Sequence, residues 1–267
     1  VKDAVVKAGN DAANKKVTEV VKAATALNDA KDAKEEDKVD KKNELVKALE
    51  ELEIISAKNV DKFEMKNVEK VLLSEYAKKL VEKTTVDEVR VAQVKEVIEV
   101  VNSSAVKTIM DGATEDNILE KLNHEHLALT NVVKENAKAY GFEAETFKNY
   151  TTAKEVSKLV GIINNKEVIL SSSKVEEVKA SLVYYLIDSE LDKELTAIKN
   201  LKDAQKTDIA KLLIAELAND KDTTTKNIVY LNNKIKEVEK TRTKLMNDVK
   251  KETATISTAV DALEQIS

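Results

Sequence analysis

The sequence contains no proline, no cysteine and no tryptophan, and only four of its 267 residues are glycine. Proline and glycine together make up about 12% of an ordinary protein, so a chain of this length would carry about thirty of them. β-Hairpins and β-sandwiches need the tight turns that these residues supply, so their scarcity argues against such folds. It also excludes the glycine-rich loops that bind phosphate. The absence of cysteine excludes disulfides, thiolate metal sites and cysteine nucleophiles.

Charged residues make up 35% of the chain, but 44 basic and 49 acidic residues nearly cancel to a net charge of −5. Interleaved charges of both signs are typical of solvated helix faces. A sequence pI of about 5.5 argues against binding to nucleic acid, which requires clustered lysine and arginine. No apolar run approaches the roughly 20 residues that span a bilayer, so we expect no membrane insertion.

Apolar residues recur at helical spacing along most of the chain, which predicts an all-α fold. We expect an elongated array of tandem three-helix-type bundles joined by long continuous helices. The predicted domains are an N-terminal bundle over 1–110, a second bundle over 111–223, and a long C-terminal helix over 224–267 that packs on or bridges the bundles. A charged run over 31–38 is predicted to be a turn or a solvated stretch. The helices are predicted at about 2–31, from 45 onward, and at 61–83, 86–103, 115–139, 153–164, 174–199, 201–219 and 225–265.

The C-terminal segment has the most regular pattern. Twelve positions alternate steps of three and four without a slip, and ten of them are apolar. A helix of about 40 residues would be about 60 Å long, so the pattern predicts a coiled coil or a helix that bridges two bundles. Two polar positions, Arg242 and Glu252, are interpreted as setting the register or facing solvent. The seam consists of Ile228, Leu231, Ile235, Val238, Arg242, Leu245, Val249, Glu252, Ile256, Ala259, Leu263 and Ile266.

Candidate catalytic and metal-binding residues are few. The two histidines, His124 and His126, lie two residues apart on a predicted helix, which would direct them about 200° from each other. A helical zinc pair requires a spacing of three or four, so we predict no metal site. Paired carboxylates such as Glu50 and Glu51 are interpreted as charge on exposed helix faces. We therefore expect no catalytic residues, no cofactor and no enzymatic activity.

Aromatic residues make up only 3% of the chain, yet four of the nine lie within eleven residues: Tyr140, Phe142, Phe147 and Tyr150. As a functional site, they would form a contact patch for a glycan or a partner protein, because aromatic residues are enriched at binding hot spots. As structure, they would fill the junction between two bundles. We favour the structural interpretation, although the sequence is compatible with both.

A weak internal repeat places an apolar helix end, a polar cap and a new amphipathic helix in that order. The segment Tyr76–Val89 is echoed by Phe147–Val156 and more loosely by Leu195–Ala204. Helical hairpins of this kind cannot bury their apolar faces alone, so they stack on neighbours.

The stretch from Glu44 to Asn102 resembles the helical repeats of bacterial surface-layer proteins and of other large cell-wall-associated proteins of Gram-positive bacteria. The resemblance rests on Leu45-Val-Lys-Ala-Leu-Glu-Glu-Leu, Asn59-Val60, Tyr76, Thr84-Thr-Val-Asp-Glu-Val and Val97-Ile-Glu-Val-Val-Asn102. Residues 76–101 are also similar to the second half of the albumin-binding three-helix modules of streptococcal and staphylococcal surface proteins. The chain lacks the glycine-containing loop that precedes helix two in the albumin binders, so no binding residues carry over. It also has no surface-layer-homology anchoring motif.

The resemblance implies a non-catalytic structural module of a secreted bacterial surface protein, located at the cell wall. It would act as a helical spacer, a lattice unit or a cell-wall attachment region, with its own copies or a cell-wall polymer as partners. The alternative is a helical adhesin module that recognises a host protein such as albumin. A contiguous exposed apolar patch would favour the binder over the spacer.

Because Val1-Lys2-Asp3 already fits a helical pattern, we expect the chain to be a piece of a longer precursor.

Overall fold

The computed structural model describes residues 2–57, 62–84, 89–188, 193–220 and 226–264, with side chains described within 11–187 and 193–258 of those ranges. All regular secondary structure in these ranges is helical, which confirms the all-α prediction. The helices there are α1 (Lys2–Asp29), α2 (Glu35–Ser56), α3 (Leu73–Thr84), α4 (Val91–Met110), α5 (Ile118–Leu122), α6 (Ala137–Gly141), α7 (Ala144–Phe147), α8 (Ala153–Ser171), α9 (Val175–Asp188), α10 (Lys193–Lys199), α11 (Asp203–Asn219) and α12 (Ile228–Glu264).

Unit 1 is the first of two compact units and comprises Val1–Gly112, Asn123–Leu129 and Lys148–Ala153. In it, α1 packs against α2 and α3, and α3 packs against α4. On α1, the apolar residues Val17, Val20 and Ala24 are buried together, because steps of three and four place them on one face of the helix. The core of unit 1 includes Val17, Val20, Ala24, Leu45, Leu49, Leu52, Phe63, Tyr76, Leu80, Val94 and Ile98.

Unit 2 comprises Ala113–Leu122, Thr130–Phe147 and Lys154–Ser267. Its α9 packs against α10 and α11, α12 packs against α10 and α11, and α5 packs against α6. One core cluster of unit 2 includes Ile169, Val178, Leu182, Tyr185, Leu186, Leu195, Ile198, Ile209, Leu213, Leu231 and Ile235.

The helix predicted over 115–139 is interrupted, which corrects the sequence prediction. The chain forms α5, a 3₁₀ turn at Glu125–Leu127, an irregular stretch, a second 3₁₀ turn at Lys134–Asn136, and α6. Ala128 has a left-handed backbone conformation (φ 47°), which an α-helix does not accommodate. The Asn131 amide donates to the carbonyl of Ser157, a tertiary hydrogen bond that holds the irregular stretch in place.

Other predicted boundaries also shift, among them the following two. The helix predicted to start at 61 starts only at Leu73, after 3₁₀ turns at Met65–Asn67 and Lys70–Leu72. The charged run over 31–38 is helical from Glu35 onward, because its acidic residues lie in the first turn of α2 and favour a helix N-terminus there. The Thr-Val-Asp-Glu segment at 85–88, part of the resemblance noted above, lies outside the described residues.

The long C-terminal helix is present as α12, but its seam is buried over the first part alone. Leu231, Ile235 and Val238 are no more than 4% exposed. Arg242 is 8% exposed and makes a two-pronged ion pair with Glu239 (2.6 and 2.7 Å). From 243 to 258 every residue is exposed. Among the described side chains, the seam therefore packs as far as Arg242. Ala259, Leu263 and Ile266 lie outside the described side chains.

Candidate functional site

A groove of about 380 Å³ lies in unit 1, between α3, α4 and the 3₁₀ turn at 125–127. Its floor is apolar, with Leu72, Val101 and Ile109 among the lining residues. One polar group of the lining, Lys79, pairs with Glu82 on the same helix at 2.6 Å. A small-molecule site requires polar groups that converge on the ligand. This groove offers apolar surface and no such convergence.

The two histidines line the same groove but do not lie on an α-helix, which corrects the sequence prediction. They flank Glu125 at the 3₁₀ turn, and their ring centroids are 4.8 Å apart in an edge-on arrangement. The Nδ1 atom of His124 accepts a hydrogen bond from the backbone N–H of His126 (3.2 Å). Across the described part of the chain, no three histidine, aspartate or glutamate side chains are arranged to hold a metal ion.

The four clustered aromatics differ in burial. Tyr140 and Phe147 are fully buried in unit 2. Phe142 is half-buried, with the Lys138 Nζ atom 5.7 Å from its ring centroid, and Tyr150 is half-buried and belongs to unit 1. Whether the four act as a contact patch or as a bundle junction stays a prediction.

Tyr140 is the centre of a hydrogen-bonded arrangement that we call the Tyr–Asn clasp. Its hydroxyl accepts from the Val133 N–H (2.9 Å) and donates to Oδ1 of Asn164 (2.5 Å). Asn164 in turn donates through Nδ2 to the carbonyl of Asn131 (2.7 Å). The clasp thus joins an irregular segment before α6 to both α6 and α8.

Unit 1 contains a second clasp with the same connections. The Tyr76 hydroxyl accepts from the Glu69 N–H (3.0 Å) and donates to Asn102, which donates to the carbonyl of Asn67 (2.8 Å). In both clasps the tyrosine is the fourth residue of its helix and the asparagine is the twelfth residue of its own. In both clasps, the residue whose N–H donates to the tyrosine lies seven residues before it. The residue whose carbonyl accepts from the asparagine lies nine residues before the tyrosine.

The clasps show that both units contain the same supersecondary module. They align Tyr76 with Tyr140, whereas the repeat in the sequence compares the segment Tyr76–Val89 with the segment Phe147–Val156. Sequence comparison misses this alignment because the helix after the tyrosine differs in length: α3 continues to Thr84, while α6 ends at Gly141. The signal available in the sequence is an Asn-Val pair nine residues before each tyrosine, at Asn67 and Asn131.

A buried polar cluster holds the start of α12 in unit 2. Lys166 is fully buried, and its Nζ donates to the carbonyl of Lys226 (2.7 Å) and pairs with Glu167 (2.7 Å). Glu143, 9% exposed, accepts from the Ile228 N–H (3.1 Å) at the first turn of the helix. A carboxylate at this position also interacts favourably with the helix dipole.

Tyr185 extends this cluster, because its hydroxyl donates to Oδ1 of Asn232 (2.7 Å) on α12. Burial, and secondarily the negative charge of Glu143, raise the pKa of the Tyr185 hydroxyl above its ordinary value. All of these groups are bonded within the chain, so the cluster positions a helix and presents no free reactive group. Sequence reasoning missed Lys166 and Glu143, because charged residues are ordinarily exposed.

Gly141 has a steric role at the end of α6. A Cβ atom at this position would lie 2.5 Å from Cγ and 3.0 Å from Cα of Glu115. Gly141→Ala is therefore expected to destabilise the fold by about 1–3 kcal/mol, as overpacking does. Urea denaturation followed by circular dichroism measures the effect.

Gly161 provides the matched control, because a Cβ there would meet only Nδ2 of Asn131, at 3.8 Å. Gly161→Ala lies inside α8 and should stabilise by about 0.5–1 kcal/mol through helix propensity. Equal effects of the two substitutions would contradict the assigned role of Gly141.

Comparison with known proteins found no matching family model, no similar curated protein and no similar solved structure. Among the described helices, none is long and apolar enough to cross a membrane. The functional assignment therefore depends on the chain's own residues.

Proposed function

We propose that the chain is a non-catalytic structural module of a secreted bacterial surface protein, located at the cell wall. It acts as a helical spacer, a lattice unit or a cell-wall attachment region. The observation that carries this proposal is the Tyr–Asn clasp, which occurs with the same connections in both units. Repetition of one helical module is how extended solenoid proteins are built.

The distribution of polar side chains supports the same proposal. The buried Lys166 and the partly buried Asn102 and Asn164 each join one backbone segment to another. An enzyme would instead direct such groups into a cavity. The resemblance of residues 44–102 to surface-layer and cell-wall repeats adds the proposed location and partners: further copies of the chain or a cell-wall polymer.

Two measurements on the full chain test this proposal. Small-angle X-ray scattering should give a radius of gyration well above the roughly 18 Å of a compact chain of 267 residues, because the proposed module spans distance. Co-sedimentation with purified Gram-positive cell walls should retain the chain, and walls stripped of their secondary polymers serve as the control. A compact particle that does not sediment with walls would contradict the proposal.

The second candidate is a ligand-binding module for a host protein, and one observation favours it. Leu245 and Met246 are 51% and 45% exposed, and Val249, one turn further along α12, is 58% exposed. Apolar exposure of this kind marks an interaction surface more often than a spacer. Biolayer interferometry with immobilised serum albumin tests this candidate, with the Val249→Asp chain as control. Equal responses from both chains would reject the apolar face as the albumin site.

A further inference from the structure

We propose that the exposed half of α12 is a self-association surface, on which two copies of this chain pair as a parallel two-stranded coiled coil. The surface consists of Leu245, Val249, Glu252 and Ile256. This inference rests on the proposed structural function, which includes further copies of the chain among its partners. It also names the segment through which the copies meet.

The first argument is the continuity of this surface with an interface inside unit 2. Leu231, Ile235 and Val238 pack against the neighbouring helices of the unit. The same alternation of three and four residues continues without interruption through the exposed half. Leu245, Val249 and Ile256 are 51%, 58% and 64% exposed, so the packing face is present but has no partner within the described chain.

The second argument concerns the length of the unsupported helix. The sixteen residues from 243 to 258 are helical and exposed throughout. Isolated helices of about this length are marginal in water, because most helical stability comes from packing of an apolar face. A partner along the seam would supply that packing.

The third argument identifies the partner. In heptad notation, Val249 and Ile256 occupy a positions and Leu245 occupies a d position. β-Branched residues at a with leucine at d favour two parallel strands. Such a pair places each a and d residue against the same residue of the other helix. A second copy of the chain therefore supplies a partner with the required pattern in register.

The flanking charges are compatible with this pairing. The g position preceding Val249 is Asp248, and a parallel pair places it beside the e position of the other helix, Thr253. No like charges therefore face each other at this pair of g and e positions. Glu252 at a d position does face its own copy, and this acidic pair weakens the association. A leucine at 252 should accordingly strengthen it.

Sedimentation velocity of the full chain between about 1 and 200 µM tests the pairing, a range that detects micromolar dissociation constants. We expect a concentration-dependent dimer. Leu245→Asp should weaken the dimer about tenfold or more, and Glu252→Leu should strengthen it by a similar factor. Both side chains are exposed in the monomer, so circular dichroism should show a folded chain in each case.

Lys244→Asp and Lys251→Leu are the matched controls, because both lie on α12 outside the seam and should leave the dissociation constant unchanged. A single cysteine introduced by Glu252→Cys reports orientation, since the chain has no cysteine of its own. Disulfide-linked dimers should form readily if the helices are parallel and in register.

A chain that stays monomeric at about 200 µM, or a dimer unaffected by Leu245→Asp, would overturn the inference. A dimer that Glu252→Cys does not cross-link would overturn the parallel arrangement. The proposed function is judged separately, by scattering and wall binding of the Leu245→Asp chain. A monomer that still binds walls would leave the function standing and remove only the pairing.

Discussion

Phe147→Ala is expected to destabilise the fold by about 3–5 kcal/mol, the usual range for removing a buried phenylalanine. Phe147 lies at the end of α7 and is fully buried. The substitution removes apolar burial and leaves a cavity, because surrounding side chains relax only in part. Urea denaturation monitored by circular dichroism gives the change in the free energy of unfolding.

Phe142→Ala is the matched comparison, since Phe142 belongs to the same aromatic group but is half-buried. It should be clearly less destabilising than Phe147→Ala. The comparison also separates the two interpretations of the aromatic group. A contact residue would leave stability nearly unchanged when replaced, so a mild effect at Phe147 would contradict its place in the core.

Tyr76→Phe and Tyr140→Phe should each destabilise the fold by about 0.5–1.5 kcal/mol for each hydrogen bond lost, the usual net contribution of such a bond. Each substitution keeps the ring and removes only the hydroxyl. The N–H of Glu69 or Val133 then loses its acceptor, and the clasp asparagine loses a donor. Because the clasps have the same connections, the two effects should be similar in size.

Hydrogen exchange locates these effects within each unit. The amide of Glu69 should lose protection in Tyr76→Phe, and the amide of Val133 should lose protection in Tyr140→Phe. Tyr184→Phe is the control, because Tyr184 is 61% exposed on α9. If Tyr184→Phe were as destabilising as the clasp variants, the clasps would not be stabilising elements.

The clasp tyrosines also predict the direction of a pH dependence. Burial raises the pKa of Tyr76 and of Tyr140 above the ordinary value of 10.0. The folded chain therefore holds these protons more tightly than the unfolded chain does. The contribution of these two tyrosines to the free energy of unfolding is fully present below pH 10. It is lost as the pH rises above 10 toward their raised pKa values in the folded chain. The chain carrying both Tyr76→Phe and Tyr140→Phe should lose less stability than the unmodified chain between pH 10 and 11.

The all-α class and the long C-terminal helix were predictable from the sequence. The scarcity of glycine and proline removed the tight turns that sheets need, and apolar residues at steps of three and four placed one face of α1 and α12 toward a core. These are local properties, because each depends on residues within a few turns of one another. The function was not predictable in this way, since spacers and binders share the same helical periodicity.

The breaks in the predicted helices and the clasps depend on tertiary structure. The stretch around Asn131 follows a helical pattern in sequence. Hydrogen bonds between Asn131 and residues 26 and 33 positions away keep it in a non-helical conformation. The local signal for such bonds is weak, because the Asn-Val pair at Asn131 does not reveal the distant serine and asparagine to which it bonds. Tertiary structure also determined where the α12 seam stops packing. The sequence continues the same apolar spacing past Arg242, and only the positions of the neighbouring helices decide which residues are covered.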